Sequence, residues 1–136
     1  MRINIENMDI LRKVYLHDAL FAGFTYDYKV RQIRMVCENH FTRKLHELVF
    51  NNVVSSDLQS CCFYGDDNTI IGHSVQKTSP TLDKLYAKKE ESTWVYNQSY
   101  LGKGAEFIAV EFELISGDTL EIICESVDHT ETELSK

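Results

Sequence analysis

The chain has 136 residues, enough for one domain of the ordinary ~100–200 residue size. Hydrophobic residues make up 43% and charged residues 26%, a balance that argues against wholesale disorder. The net charge of −7, with no run of five Lys or Arg, repels phosphate backbones, so nucleic acid is not an expected partner; a basic protein partner suits the sign.

No stretch of about 18 consecutive apolar residues occurs, so no membrane span is expected. The opening apolar residues are interrupted by Arg12, Lys13, His17 and Asp18, which does not fit a signal peptide and makes the cytoplasm the expected location. In that compartment Cys37, Cys61, Cys62 and Cys124 are expected as buried thiols rather than disulfides. No C-x-x-C spacing is present.

Ile3 and Ile5 open with a short alternation. Asn7-Met8-Asp9 then reads as a helix start for Ile10, Leu11, Val14 and Tyr15, with a strand through Val14 and Leu16 as the competing reading. From Ala19 the pattern has period two: Leu20, Ala22, Phe24, Tyr26 and Tyr28 share one parity, which predicts a strand. Lys29-Val30-Arg31 is the expected turn into a second strand with Ile33, Met35 and Cys37 on one face. Arg43 to Val54 is rich in β-branched residues and predicts another strand, with a bulge at Asn51-Asn52.

Ser55-Ser56-Asp57 is expected as a break, Leu58 to Tyr64 as a strand ended by Gly65-Asp66-Asp67-Asn68, and Thr69 to Val75 as a short strand. Ser79-Pro80-Thr81 predicts a helix start, with Leu82, Leu85 and Tyr86 on one face. A surface loop over 76–92 is the alternative. Thr93-Trp94-Val95-Tyr96 resumes the β pattern, and Gly102-Lys103-Gly104 breaks it. Phe107 to Ile115 and Thr119 to Val127 alternate around the tight turn Ser116-Gly117-Asp118 and predict a hairpin. Asp128 to Lys136 is expected to be a frayed polar tail. The sum is a mainly β domain, an antiparallel sandwich or partly open barrel of six to eight strands, with one or two short helices.

The chemistry-bearing residues are sparse. His17-Asp18 precedes the first long strand; its structural reading has Asp18 accepting backbone N–H bonds in the turn, with His17 oriented against it. His46-Glu47 is not a zinc-protease signature, because Phe50 stands where the second His is required. Cys61, Cys62 and His73 form a zinc-compatible set if their segments pair, with His40 or Cys37 as a fourth ligand. Glu111 and Glu113, with Glu121 and Glu125, make either a solvated face or a negative stripe for a cationic partner. Tyr26, Tyr28, Tyr64, Trp94, Tyr96 and Tyr100 line a groove or fill the core.

Leu16-His17-Asp18-Ala19, followed by Gly23-Phe24-Thr25-Tyr26-Asp27-Tyr28, resembles the opening of small uncharacterised bacterial proteins in which an LHD(S/A) element leads into a strand ending in Tyr-Asp. Some immunity proteins of bacterial toxin systems open similarly. The likeness covers about the first 40 residues. It implies a small cytoplasmic β-rich binding protein with no catalytic residues to carry over.

The expected function is a non-enzymatic, immunity-like protein-binding module without a cofactor. Its candidate contacts are His17, Asp18, Tyr26, Tyr28, Trp94, Tyr96, Glu111 and Glu113. The alternative is a small-molecule or metal-binding β-domain using Cys61, Cys62 and His73, or the region of His17. A homo-oligomer paired through a sheet edge is a third reading.

Overall fold

A computed structural model describes residues 1–58, 69–91 and 106–134. The alternating segments become two antiparallel sheets that share one core and form no closed barrel. The first sheet runs in the order β1 (Arg2–Ile3), β9 (Ser126–Glu133), β4 (Lys44–Asn51), β3 (Gln32–Asn39), β2 (Leu20–Asp27). The second runs β5 (Ser55–Leu58), β8 (Thr119–Cys124), β7 (Ile108–Leu114), β6 (Ile70–Gln76). Two helices complete the described residues, α1 (Asp9–Lys13) and α2 (Pro80–Glu91). None is long and apolar enough to cross a membrane.

The period-two faces meet in the core. Ile33, Met35 and Cys37 from β3 and Leu48 and Phe50 from β4 face Val110, Phe112, Leu120 and Ile122 of the second sheet, all essentially buried. Phe50 and Phe112 meet edge to face across the sheets, ring centres 6.2 Å apart, the geometry aromatic quadrupoles prefer. Cys37 and Cys124 are buried free thiols. Burial pushes the Cys37 thiol up to about 12 and that of Cys124 up as well, so neither is a nucleophile.

The hairpin turns use side chains where glycine is lacking. Asp27 Oδ1 accepts the backbone N–H of Lys29 at 2.9 Å, and Asn39 Oδ1 accepts those of Phe41 and Thr42, both at 3.0 Å. Each turn closes on a left-handed arginine, Arg31 or Arg43. These Asx turns do the work of an Asn-Gly pair. Between β7 and β8, Gly117 takes the left-handed position at φ 91°, which a side chain would strain. At α2, Ser79 Oγ accepts the N–H of Leu82 at 3.0 Å and Pro80 stands first in the helix, the expected cap. The loop alternative for this segment is thereby set aside.

Three expectations are corrected. Ser55-Ser56-Asp57 is not a break: it lies within β5, paired with β8 from Ser55↔Ile123 to Leu58↔Leu120. Asn51-Asn52 is not a bulge inside a strand. Asn51 ends β4, and the left-handed Asn52 (φ 50°) turns the chain into the second sheet. The bulge falls instead at Ala22, between Phe21 and Gly23, so Phe21 and Phe24 lie on one face, rings stacked at 5.9 Å. Finally, residues 128–133 are no frayed tail. They belong to β9, which pairs with β4 along its length, from Lys44↔Glu133 to Asn51↔Ser126. Polar composition misled because the outer half of β9 buries no side chain yet satisfies its backbone on β4. Of the strand expected from Leu58 to Tyr64 only Leu58 is described, as the last residue of β5; the strand expected at 93–96 and the glycine break at 102–104 fall outside the described residues.

Truncating the chain after Val127 is expected to lower unfolding stability by at least ~2 kcal/mol, since it strips β4 of its ladder from Lys44 to Val49 and leaves buried His46 without His129, whose Nε2 lies 3.0 Å from His46 Nδ1. Urea titration checks this; a frayed tail would leave the midpoint unmoved.

Candidate functional site

The outer face of the second sheet carries the densest unneutralised charge. Alternation along β7 sends Val110, Phe112 and Leu114 inward and Ala109, Glu111 and Glu113 outward. α2 seals one end of this face, packing Leu82 with Phe107, Ala109 and Ile123, and with Val54, Leu85 and Tyr86 at the margin. The Tyr86 hydroxyl accepts the N–H of Phe107 at 2.9 Å. Beyond the helix, Glu111 and Glu113 are exposed.

There the register lines up one row across four strands: Ser74 opposite Glu111, Glu111 opposite Glu121, and Glu121 opposite Asp57. Glu113 sits one step along, between Gly72 and Thr119. Gly72, Ser74, Glu111 and Glu113, with His73, line a shallow pocket of about 300 Å³. A Cβ at Gly72 would meet nothing within 4 Å, so the pocket floor is open space. Like charges directly opposite in a sheet repel, at roughly 0.2–1 kcal/mol per pair. The row holds two such pairs in succession.

The first sheet treats its carboxylates differently. Arg2 holds Asp128 through two bonds at 2.9 and 3.0 Å, Arg34 holds Glu47 at 3.2 Å, and Lys44 pairs with Glu133. The Arg2 bond keeps the Asp128 carboxyl below its usual range. Among the described residues, Asp57, Glu111, Glu113 and Glu121 pair with no cation. Glu125 is not part of this row. It lies past the end of β8 and lines a separate open cleft of about 420 Å³ with Arg2, Glu6 and Glu106.

The histidines expected at a binding site guard a strand edge instead. β6 is an edge strand of the described sheet, and three of its carbonyls are taken up by Arg12, His17 and Asp18. Arg12 Nε and Nη2 donate to Val75 O at 3.1 and 2.6 Å. His17 Nδ1 donates to Ile71 O at 2.8 Å, and the Asp18 backbone N–H donates to Ile70 O at 2.8 Å. His73 Nε2 donates to Leu11 O at the end of α1, also at 2.8 Å. Such covering keeps an edge from pairing with other chains. The Asp18 part of the sequence expectation is corrected: its main-chain N–H, not its carboxylate, makes the bond to β6. Its left-handed backbone (φ 68°) brings the carboxylate to 3.6 Å from His17 Nε2, whereas neighbouring side chains on an extended chain diverge.

His73 faces inward, its ring 6.2 Å from that of Phe112, so it does not share the outer face with Glu111 and Glu113. Cys61 and Cys62, its proposed companions, lie outside the described residues, as do Trp94 and Tyr96. No group of three or more His, Cys, Asp or Glu among the described residues is placed to hold a metal ion. Tyr26 and Tyr28 stack at 4.3 Å at the far end of β2, with Tyr28 78% exposed. They belong to the first sheet and stand apart from the acidic row.

One cluster escaped the sequence reading. His46 is 1% exposed, and its Nδ1 lies 3.0 Å from His129 Nε2. The only signal was His46 sharing parity with Leu48 and Phe50; its partner sat in the supposed tail. Comparison with protein-family models, curated proteins and solved structures finds no match to the chain.

Replacing His17 with Ala removes one backbone bond and is expected to destabilise by about 0.5–1.5 kcal/mol. Asp18→Val, forced into the left-handed region, is expected to cost about 1–2 kcal/mol, while Asp18→Gly avoids that strain. Urea midpoints of the three variants check the edge-guard role, which fails if Asp18→Gly is as damaging as Asp18→Val.

Proposed function

We propose that the chain is a non-enzymatic protein-binding module that receives a basic protein on the outer face of its second sheet. The observation that carries this is the row Asp57–Glu121–Glu111, with Glu113 beside it, held in direct cross-strand register without a cation among the described residues. Folding gains nothing from opposing like charges. A cationic partner converts the repulsion into attraction and speeds encounter. The shallow pocket over Gly72 offers room for a Lys or Arg side chain between Glu111 and Glu113. The likeness of residues 16–28 to small bacterial proteins, some of them immunity proteins, supports a bacterial, cytoplasmic setting for such a module.

The metal-binding alternative rests on Cys61 and Cys62. His73, its third member, already spends Nε2 on Leu11 O. For self-association, β6 is covered and β5 and β1 are short, so a second copy would pair along β2, the remaining long edge.

Affinity capture from the native host is expected to retain a basic protein at low salt. The Glu111→Gln, Glu113→Gln, Glu121→Gln triple variant is expected to release it; undiminished capture by the triple variant counts against the proposal. Glu121→Gln alone removes both like-charge pairs and is expected to raise stability by about 0.4–2 kcal/mol. Added salt is expected to stabilise the wild type more than this variant, because screening relieves repulsion that the variant has already lost.

A further inference from the structure

The imidazoles of His46 and His129 form a single unit between β4 and β9. Their ring centres are 5.3 Å apart and their planes 18° from parallel. That spacing is the 3.0 Å between nitrogens plus the two ring radii, so the rings lie end to end in nearly one plane. One proton occupies the line between His46 Nδ1 and His129 Nε2. A zinc ion on that line would need about 4 Å between nitrogens, twice the ~2.0–2.1 Å zinc–nitrogen distance. The pair is therefore built for a proton rather than a metal.

His46 Nε2, on the far side of its ring, is buried without a hydrogen-bond partner among the described residues. A buried N–H without an acceptor is rarer than a buried acceptor without a donor. This places the shared proton on His46 Nδ1, with His129 Nε2 accepting. A second proton then has no acceptable position. On His129 Nε2 it confronts the N–H of His46; on His46 Nε2 it is buried unpaired.

We propose that this pair is an acid-sensitive latch that holds the outer half of β9 against β4 and releases it when a second proton binds. From Thr130 to Glu133 no side chain is buried. His129 is thus the last residue of β9 with an interior contact; beyond it the strand is held by its backbone ladder on β4, the exposed Lys44–Glu133 pair and the Leu134 N–H to Arg43 O bond, without buried side chains. The inner half stays in place through buried Val127 and the Arg2–Asp128 and Asn51–Asp128 bonds.

The charged and titratable neighbours are few. On β9, Glu131 lies 3.8 Å from His46 Nδ1 and favours the extra proton. On β4, Lys44 opposes it, and the Met1 amino group beside β9 opposes it at His129. On β3, Cys37 stands opposite His46 as a neutral thiol. Burial outweighs Glu131 and lowers the proton affinity of both rings. Folded values below the unfolded ~6.5 mean that the unfolded chain binds more protons, so the latch contributes fully above about pH 6.5 and weakens as pH falls below it.

Amide hydrogen exchange, corrected for intrinsic rates, tests the latch in the whole protein. Between about pH 7.5 and about pH 5, protection at Thr130–Glu133 is expected to drop roughly tenfold or more, one pKa unit corresponding to tenfold. Val127 and Asp128 keep theirs. In His129→Gln only His46 of the pair is left to titrate, and the drop is expected to shrink. Imidazole nitrogen NMR of the wild type gives a readout that needs no variant: at neutral pH the proton is expected on His46 Nδ1. An unchanged pH response in His129→Gln, equal protection at both pH values, or a proton on His46 Nε2 overturns the proposal.

Discussion

Two strands that belong to both sheets set the geometry on which everything else depends. β4 runs on into β5, and β8 into β9, so one antiparallel ribbon bends and lends a half to each sheet. The bend is pinned by backbone bonds from Val54 N to Ile123 O at 2.9 Å and from Glu125 N to Asn51 O at 3.1 Å. Asn51 adds its side chain, donating to Asp128 and Ser126 and accepting from Gln32. Because the corner is a continuous ladder rather than a loop, the faces carrying Phe50 and Phe112 cannot slide past each other. A one-residue slip would turn every core side chain outward.

The same economy governs the polar residues near the core. Sheets leave rows of carbonyls at their edges, and these must be satisfied or covered. Arg12, His17 and the backbone of Asp18 serve β6 in this way. His73 serves the end of α1, and Asn39, fully buried, serves both its own turn and His17 O at 3.1 Å. An element that reads as a catalytic or binding motif in one dimension is thus taken up by main-chain hydrogen bonding in three. That leaves the acidic row, which no hydrogen bond or ion pair among the described residues takes up, as the basis of the proposed docking face.

Charge is distributed by sheet. In the first, Arg2, Arg34 and Lys44 neutralise Asp128, Glu47 and Glu133, and the His46–His129 pair lies on the face of β4 and β9 that carries buried Leu48, Phe50 and Val127. In the second, register stacks Asp57, Glu121 and Glu111 side by side. The proposed acid-sensitive latch and the proposed docking face therefore occupy different sheets, joined by the bent ribbon. Opening the outer half of β9 leaves the core half of the ribbon, and with it the acidic row, in place.

Local patterns in the sequence determined the element types wherever one face is greasy and the other polar. The hairpins of residues 20–39 and 108–124 follow from alternation, and α2 follows from Ser79-Pro80 because capping is a contact between near neighbours. The candidate carboxylates Glu111 and Glu113 were legible by parity alone. Tertiary structure alone decided which side chains meet across strands distant in sequence. It put Asp57 beside Glu121, gave the polar segment 128–133 a place next to β4, and brought His129 to a histidine 83 positions away. Backbone pairing of a strand with little buried surface leaves no hydrophobic signature, and register between remote strands is fixed by corners and turns. For that reason composition could announce a β sandwich but not the row of charge or the shared proton within it.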